Sequence, residues 1–349
     1  MSDILCRREG KVGRITLQRP KALNALSHAM IAEIERAIDS WRQDNDVNFV
    51  MIEGIGERAF SAGGDIQDMY DTATRGDFEY GRRFWRDEYR LNSKIFNFPK
   101  PWVAFMQGFT MGGGVGVSCH GSHRVVCENS IVAMPECGIG LVPDVGGSLL
   151  LARAPGRMGE YLGTTGTRMG PADAIYAGFA DYFAPNECWE EVKADLVETG
   201  EVGILDDRAT LAPGGVLHER QREVDRHFGG ETIADILRSM SAHPDKFAEA
   251  ALSAITRNCP LSVACCVEIV HRARESDTIF RALREEFRFT FRSAEHGDFI
   301  EGIRAAVIDR DRRPRWRHSD IDAVSDLDVV RMLMPLGDDE LRLEKEGFA

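Results

Sequence analysis

Met111-Gly112-Gly113-Gly114-Val115-Gly116 sets four glycines in six residues. The run follows a short apolar, β-branched stretch at 102–107 that reads as a strand, and it leads into Val117, Ser118 and Cys119 as the opening of a helix. A strand that breaks into glycine leaves main-chain N–H groups accessible. No Cβ shields them, and the first helical turn has no internal acceptor for its own donors. Upstream, Ser61-Ala62-Gly63-Gly64-Asp65 repeats the pattern after another strand-like run at 48–53. Downstream, Met134-Pro135-Glu136-Cys137-Gly138-Ile139-Gly140-Leu141-Val142-Pro143-Asp144-Val145-Gly146-Gly147 places two carboxyl groups among turns and apolar residues. An ion in such surroundings is costly unless it is paired or used.

Working outward, residues 12–17 read as a first strand. Ser27 can cap a helix in which Met30, Ile31, Ile34, Ala37 and Ile38 recur at helical spacing, ending near Arg42. Strand, helix, strand is a βα unit, and further strands are expected at 124–127 and 131–134. After about residue 150 helical patterns take over, at 172–178, 187–199, 232–240, 246–257, 261–273 and 278–292. Residues 200–230, with Pro213, Gly214 and Gly215, read as a loop-rich connector. The expected organisation is an α/β core over 1–200, a connector over 201–230 and a helical C-terminal lobe over 231–349.

A chain of 349 residues is long enough for a full core and a second lobe. With 43% hydrophobic and 28% charged residues and no apolar run near the roughly 18 needed to cross a bilayer, the expectation is a soluble protein, not a membrane-inserted one. The formal charge of −13 opposes a phosphate polymer, so nucleic acid is not an expected partner. Eight cysteines, at 6, 119, 127, 137, 188, 259, 265 and 266, show no CxxC pair and no metal-like spacing, which predicts reduced thiols. The N-terminus carries no secretory pattern, and a cytoplasmic location is expected.

Gly54-Ile55-Gly56-Glu57-Arg58-Ala59 fits the spacing of a dinucleotide fingerprint, but further glycines follow where the long helix under a pyrophosphate would begin. The stronger chemistry is an oxyanion site. The N–H groups of Ala62 and Gly113 could together hold a carbonyl oxygen as it becomes negative, although glycine turns also serve tight packing alone. Asp144 could equally be a helix cap ahead of Val145-Gly146-Gly147.

Residues 61–65, 112–114 and 135–147, with Pro20-Lys21-Ala22-Leu23-Asn24-Ala25-Leu26 upstream, together resemble the crotonase superfamily in order and spacing. The resemblance implies a core of repeated ββα units and a CoA ester bound by Ala22, Leu23, Ala62, Gly64 and Asp65, with the adenine near Ala22 and Leu23. It also implies an oxyanion hole from Ala62 and Gly113. Hydratases of the superfamily carry a glutamate three residues beyond the oxyanion-hole glycine, where this chain has Gly116. The pair Glu136 and Asp144 resembles instead the 3-hydroxyisobutyryl-CoA hydrolases and the dienoyl-CoA isomerases.

Cys119-His120-Gly121, Pro143-Asp144-Val145-Gly146-Gly147 and the tail motifs Arg284-Glu285-Glu286-Phe287-Arg288, Asp298-Phe299-Ile300-Glu301-Gly302 and Pro314-Arg315-Trp316 are similar to the hydrolases. Cys137-Gly138 departs from that family's more frequent Thr-Ala. The resemblance implies thioester hydrolysis in valine catabolism, with Glu136 attacking or activating water and Asp144 orienting substrate or water and assisting thiol departure. Glu88, Gly113, Glu136 and Asp144 would contact substrate. No metal, flavin or nicotinamide is implied, CoA entering with the substrate, and a homo-oligomer is compatible. The competing readings are an enoyl-CoA hydratase or isomerase and an idle binding scaffold of the same fold.

Overall fold

The computed structural model describes residues 2–343. The chain forms two compact units, one from residues 2–64, 90–133 and 168–218, the other from 65–89, 134–167 and 219–343. The units interleave along the sequence, so the expected boundary near residue 200 is not where the chain divides. Two segments from the first half, one carrying Glu88 and one carrying Glu136 and Asp144, belong with the C-terminal helices.

Among the described residues all nine strands lie in the first unit: β1 Ile4–Glu9, β2 Val12–Leu17, β3 Phe49–Gly54, β4 Ala59–Ser61, β5 Trp102–Phe105, β6 Phe109–Met111, β7 His123–Val126, β8 Ile131–Ala133 and β9 Tyr182–Phe183. The larger sheet has the order β1-β2-β3-β5-β7-β9 and the smaller one β4-β6-β8. Apart from the β1/β2 hairpin, the neighbours pair in parallel. Within each pair β3/β4, β5/β6 and β7/β8, the second strand leaves the large sheet and joins the small one. This is the repeated ββ element that the sequence resemblance implies.

The turns between these paired strands stack closely. Gly108, at φ +57°, sits so near the Arg58 carbonyl that a Cβ would approach its oxygen to 2.3 Å. Only glycine fits there. Phe60 N–H donates to the Gln107 carbonyl at 2.6 Å and Ile131 N–H to that of Gly108 at 2.8 Å, so each repeat is hydrogen-bonded to the next.

Helix His28–Trp41 forms as its apolar spacing predicts, with the Ser27 hydroxyl accepting from Met30 N–H and with Met30, Ile31, Ile34, Ile38 and Trp41 buried. One face of the large sheet packs Phe49, Met51, Val103, Phe105 and Val125 against Trp189, Val192 and Leu196 of helix Trp189–Thr199. None of the eight cysteines is paired, and six are buried.

The second unit is helical. Helix Pro260–Ser276 lies against Gly147–Arg153 and Met158–Thr165, and helix Ile279–Ser293 against Gly147–Arg153 and Asp326–Leu333. The stretch read as a loop-rich connector contains helices Ile204–Arg208 and Leu217–His227. The second begins four residues after Pro213, so proline and glycine marked the loop ahead of a helix and not a loop throughout.

Asn24 ties the first unit together. It is fully buried at φ +55°, its amide donates to the carbonyls of Ile55 at 3.1 Å and Ala59 at 2.9 Å, and its side-chain oxygen accepts from Arg19 N–H at 2.9 Å. Asn24→Ala strands three backbone groups and puts a less tolerant residue in the left-handed region, so it should lower stability by about 2–4 kcal/mol. Denaturant unfolding measures this directly, and a loss below about 1 kcal/mol would contradict the assigned role.

Candidate active site

Helix Glu79–Phe96 buries the stripe Phe84, Trp85, Glu88, Tyr89, Leu91, Asn92 and Ile95. Two acidic or amide side chains therefore stand on an otherwise apolar face. Glu136 opens the short 3-10 helix Glu136–Ile139, which Gly140 closes in the left-handed conformation at φ +76°. Asp144 precedes a turn in which Val145 has φ +55° and Gly146 +79°, and Gly147 N–H closes that turn on the Asp144 carbonyl at 2.6 Å. Helix Ile279–Ser293 supplies a further carboxyl group, Glu286, on its buried face.

In the helical unit the structure brings Glu88, Glu136 and Asp144 together, and adds Tyr89 and Glu286. All five are no more than 5% exposed. Tyr89 hydroxyl donates to Asp144 Oδ2 at 2.8 Å. Glu286 Oε2 accepts from Gly146 N–H at 2.8 Å, and its Oε1 accepts from Ser148 N–H at 3.0 Å and from the Ser148 hydroxyl. Among the described residues no cation pairs with any of these four carboxyl groups. Glu88 Oε1 and Glu136 Oε2 are buried with no hydrogen-bond partner. A buried polar atom left unpaired costs roughly 1–3 kcal/mol, which marks the two oxygens as ligand-facing candidates.

The electrostatics follow from burial. Desolvation, then the charge of Asp144, pushes Glu88 well above the usual carboxylate range, and the same two causes raise Glu136, with lesser contributions from Cys266 and Glu286. Burial lifts Asp144 to about 7, against the opposing pull of the Tyr89 hydrogen bond and of its own backbone amide. Glu286 rises to about 8 by burial, against its donors at 148 and 146. Asp144 is thus the member of the central trio with a side-chain donor that favours its charged form. Such a set holds protons near neutral pH and can both accept and release them, as acid and base chemistry requires.

Of the two main-chain donors expected in the strand-bearing unit, one is already engaged. Ala62 N–H donates to the Leu23 carbonyl at 3.0 Å, a bond that helps lace residues 20–26 onto 59–64, together with Leu26 N–H to the Gly63 carbonyl at 2.8 Å and Ser61 hydroxyl to the Asn24 carbonyl at 2.9 Å. The Ala62 donor is therefore spent on the fold and is not available to a carbonyl oxygen. Two residues on, the Gly64 N–H finds no acceptor among the described residues. Gly113 is the first residue of helix Gly113–Ser118, and its N–H likewise has none.

A Cβ on Gly63, itself at φ +109°, would stand 3.6 Å from Gly113 N, and one on Gly114 would approach the Ser61 carbonyl oxygen to 2.4 Å. The two glycine segments touch so closely that side chains are excluded, and the Gly64 and Gly113 N–H groups are the donors they leave without an acceptor among the described residues. Of the other residues expected to meet CoA, Ala22 is exposed, Leu23 is half-buried at φ +51° and Asp65 is half-buried in the helical unit. Among the described residues no three His, Cys, Asp or Glu side chains are arranged to hold a metal ion.

Tyr89 and Glu286 were not assigned roles from sequence. A signal existed: Glu286 falls on the stripe Ile279, Leu283, Phe287 and Thr290, where a solvated glutamate would not belong. Tyr89 directly follows Glu88 in the sequence. Cys137, the departure from the hydrolase pattern, is fully buried, its carbonyl accepting from Cys259 N–H at 2.8 Å, and it leaves the Glu136 carboxyl in the cluster.

Comparison with known proteins gives a consistent family and mixed activity names. The profile of the enoyl-CoA hydratase/isomerase family matches residues 12–333. Mitochondrial 3-hydroxyisobutyryl-CoA hydrolase from Gallus gallus is 36% identical over 98% of this chain and 91% of its own, and that from Homo sapiens is 33% identical over 97% and 90%. Among solved structures, an enoyl-CoA hydratase from Rhodobacter sphaeroides 2.4.1 superposes with a TM-score of 0.93 at 51% identity, covering 98% of this chain and 100% of that one. A carnitinyl-CoA dehydratase from Mycobacterium thermoresistibile gives 0.94 at 39% identity, covering 99% and 100%. The stacked ββ repeats, the paired glycine segments and a match along nearly the whole length establish this chain as a member of the enoyl-CoA hydratase/isomerase family, within the crotonase superfamily.

Proposed function

We propose that the chain hydrolyses the thioester of a short-chain 3-hydroxyacyl-CoA, 3-hydroxyisobutyryl-CoA foremost, giving 3-hydroxyisobutyrate and CoA in valine catabolism. The observation that carries this reading is the buried trio Glu88, Glu136 and Asp144, with Tyr89 favouring charge on Asp144 and two carboxyl oxygens left unpartnered. The names of the Gallus and Homo relatives support it.

In this reading the Gly64 and Gly113 donors take the thioester oxygen as it becomes an oxyanion; one such donor is worth about 3–4 kcal/mol in comparable sites. At rest the negative charge sits on Asp144 and a proton on Glu136. Transfer of that proton to Asp144 frees Glu136 either to attack the carbonyl carbon, giving a mixed anhydride that water then cleaves, or to take a proton from the attacking water. When the tetrahedral intermediate collapses, the carbon–sulfur bond breaks and Asp144 returns its proton to the departing thiolate. The orphan oxygen of Glu88 suits the substrate's 3-hydroxyl: a protonated carboxyl both donates and accepts, and an acyl group without the hydroxyl would leave it unsatisfied. No metal or redox group enters these steps.

The Rhodobacter and Mycobacterium names favour a second reading, in which the same trio adds or removes water across a carbon–carbon double bond. Its weakness is Gly116: the position at which hydratases of the superfamily carry their other glutamate is here a buried helical glycine.

Glu136→Gln and Asp144→Asn should each lower kcat for thiol release from 3-hydroxyisobutyryl-CoA by about 10²–10⁴-fold, the range of general acid–base catalysis, with KM changed far less. Steady-state rates within tenfold of the parent for either variant would refute its assignment. Tyr89→Phe removes a donor that favours ionised Asp144, so the Asp144 pKa must rise and the acidic limb of kcat/KM against pH must move to higher pH, by about 1–2 units for a hydrogen bond to a charged group. An unmoved limb, or one moved to lower pH, contradicts the part given to Tyr89.

A further inference from the structure

The mechanism leaves Glu286 unused, although it is as deeply buried as any group in the cluster. Its carboxyl group spans the start of helix Gly147–Arg153, with one oxygen at Gly146 N–H and the other at Ser148 N–H and the Ser148 hydroxyl. These donors flank a turn that is conformationally unfavourable. Val145 is β-branched and sits at φ +55°, a region such residues rarely enter, and Gly146 follows at +79°. The next residue is confined as well, since a Cβ on Gly147 would meet the Met134 side chain at 2.4 Å. Asp144 is the residue that opens this turn, and its carbonyl closes it by accepting from Gly147 N–H.

We propose that Glu286 is a positioning residue for the reaction: by clamping the 146 and 148 amides it holds the strained Val145 turn and thereby fixes the direction in which Asp144 presents its carboxyl group. The clamp comes from a segment about 140 residues away in sequence, so the C-terminal helix Ile279–Ser293 takes part in catalysis without touching substrate. A carboxyl group is what this geometry needs. It offers one oxygen to the Gly146 N–H and the other to the Ser148 N–H, whereas glutamine presents one oxygen and one NH₂ and would face an amide donor with another donor. Burying a carboxyl group among three neutral donors, with no cation beside it among the described residues, is a poor choice for stability alone. Tyr89 steadies the Asp144 carboxyl from the other side, through its hydroxyl. The turn and the side chain are thus held by two different residues.

This inference rests on the hydrolytic role given to Asp144, and the test separates the two. Asp144→Asn, Glu286→Gln, Glu286→Asp and the double variant Glu286→Gln with Val145→Gly are assayed for thiol release from 3-hydroxyisobutyryl-CoA, and each is checked for its melting temperature. The expected result is an inactive Asp144→Asn and a Glu286→Gln kcat down at least tenfold with KM changed less than threefold. The double variant should recover at least a third of the loss on a logarithmic scale, because glycine adopts the left-handed turn without strain and needs the clamp less. Glu286→Asp, which keeps both acceptor oxygens on a shorter stem, should fall between parent and Glu286→Gln.

An inactive Asp144→Asn beside a Glu286→Gln within twofold of the parent overturns the clamp while leaving hydrolysis intact. A loss in Glu286→Gln that Val145→Gly does not relieve makes Glu286 merely structural and overturns it too. An Asp144→Asn variant that keeps its activity defeats the functional reading itself. Should Glu286→Gln melt below the assay temperature, Ser148→Ala replaces it, since this removes only the hydroxyl donor; a kcat loss of two- to fivefold is expected, and an unchanged kcat counts against the clamp.

Discussion

Four carboxyl groups share a water-poor region of the helical unit with no cation paired to them among the described residues, and that imbalance governs the rest of the site. Elsewhere in the same unit the chain neutralises its buried acids: Glu160 takes Arg274 and His271, and Glu285 takes Arg272 and Arg288. Around Asp144, among the described residues, it supplies the Tyr89 hydroxyl and main-chain or serine donors. Charge on Glu88 and Glu136 is opposed by desolvation and by Asp144, which favours their protonated forms. A region arranged for stability would not leave this uncompensated. One arranged to exchange protons with a bound molecule would.

The two units carry different groups. Parallel strands that pass alternately into a large and a small sheet bring the 61–64 and 112–114 segments against each other, and backbone bonds from Leu26, Ala62 and Ser61 fix the first of them. The helical unit collects acids from four separate stretches of chain, on helices Glu79–Phe96, Glu136–Ile139 and Ile279–Ser293 and on the turn at Asp144. Main-chain donors suit rigid strand ends, because a glycine backbone has few ways to move once both sides are bonded. Acids suit helix faces, where the packing of the apolar stripe determines how dry the carboxyl will be.

Much of this was legible in the chain. The strands at 12–17, 48–53 and 102–107 and most of the C-terminal helices followed from apolar periodicity, because burial imposes that periodicity directly. The three-residue strands Ala59–Ser61 and Phe109–Met111 carry too few residues for any period, and they were hidden inside the glycine segments they introduce. Glycine spacing pointed to the donor turn but not to which amide in it was free. The choice between Ala62 and Gly64 depends on Leu23, nearly forty residues earlier, reaching the first of them. Glu286 went unassigned for a related reason: its partners at 146 and 148 are remote in sequence, and only its misfit on an apolar helix face announced it.

Hydrolase and hydratase names both occur among the relatives, and the proposed reading rests on the arrangement of acids. Helix Gly113–Ser118 carries no carboxyl group, whereas in the helical unit Glu88 and Glu136 both feel the charge of Asp144. The most direct measurement is to give the purified chain 3-hydroxyisobutyryl-CoA and crotonyl-CoA in parallel and to follow both free thiol and hydrated product. Rapid thiol release from the first, with little hydration of the second, is the predicted outcome. Efficient hydration of crotonyl-CoA without thiol release from the hydroxyacyl ester would contradict it.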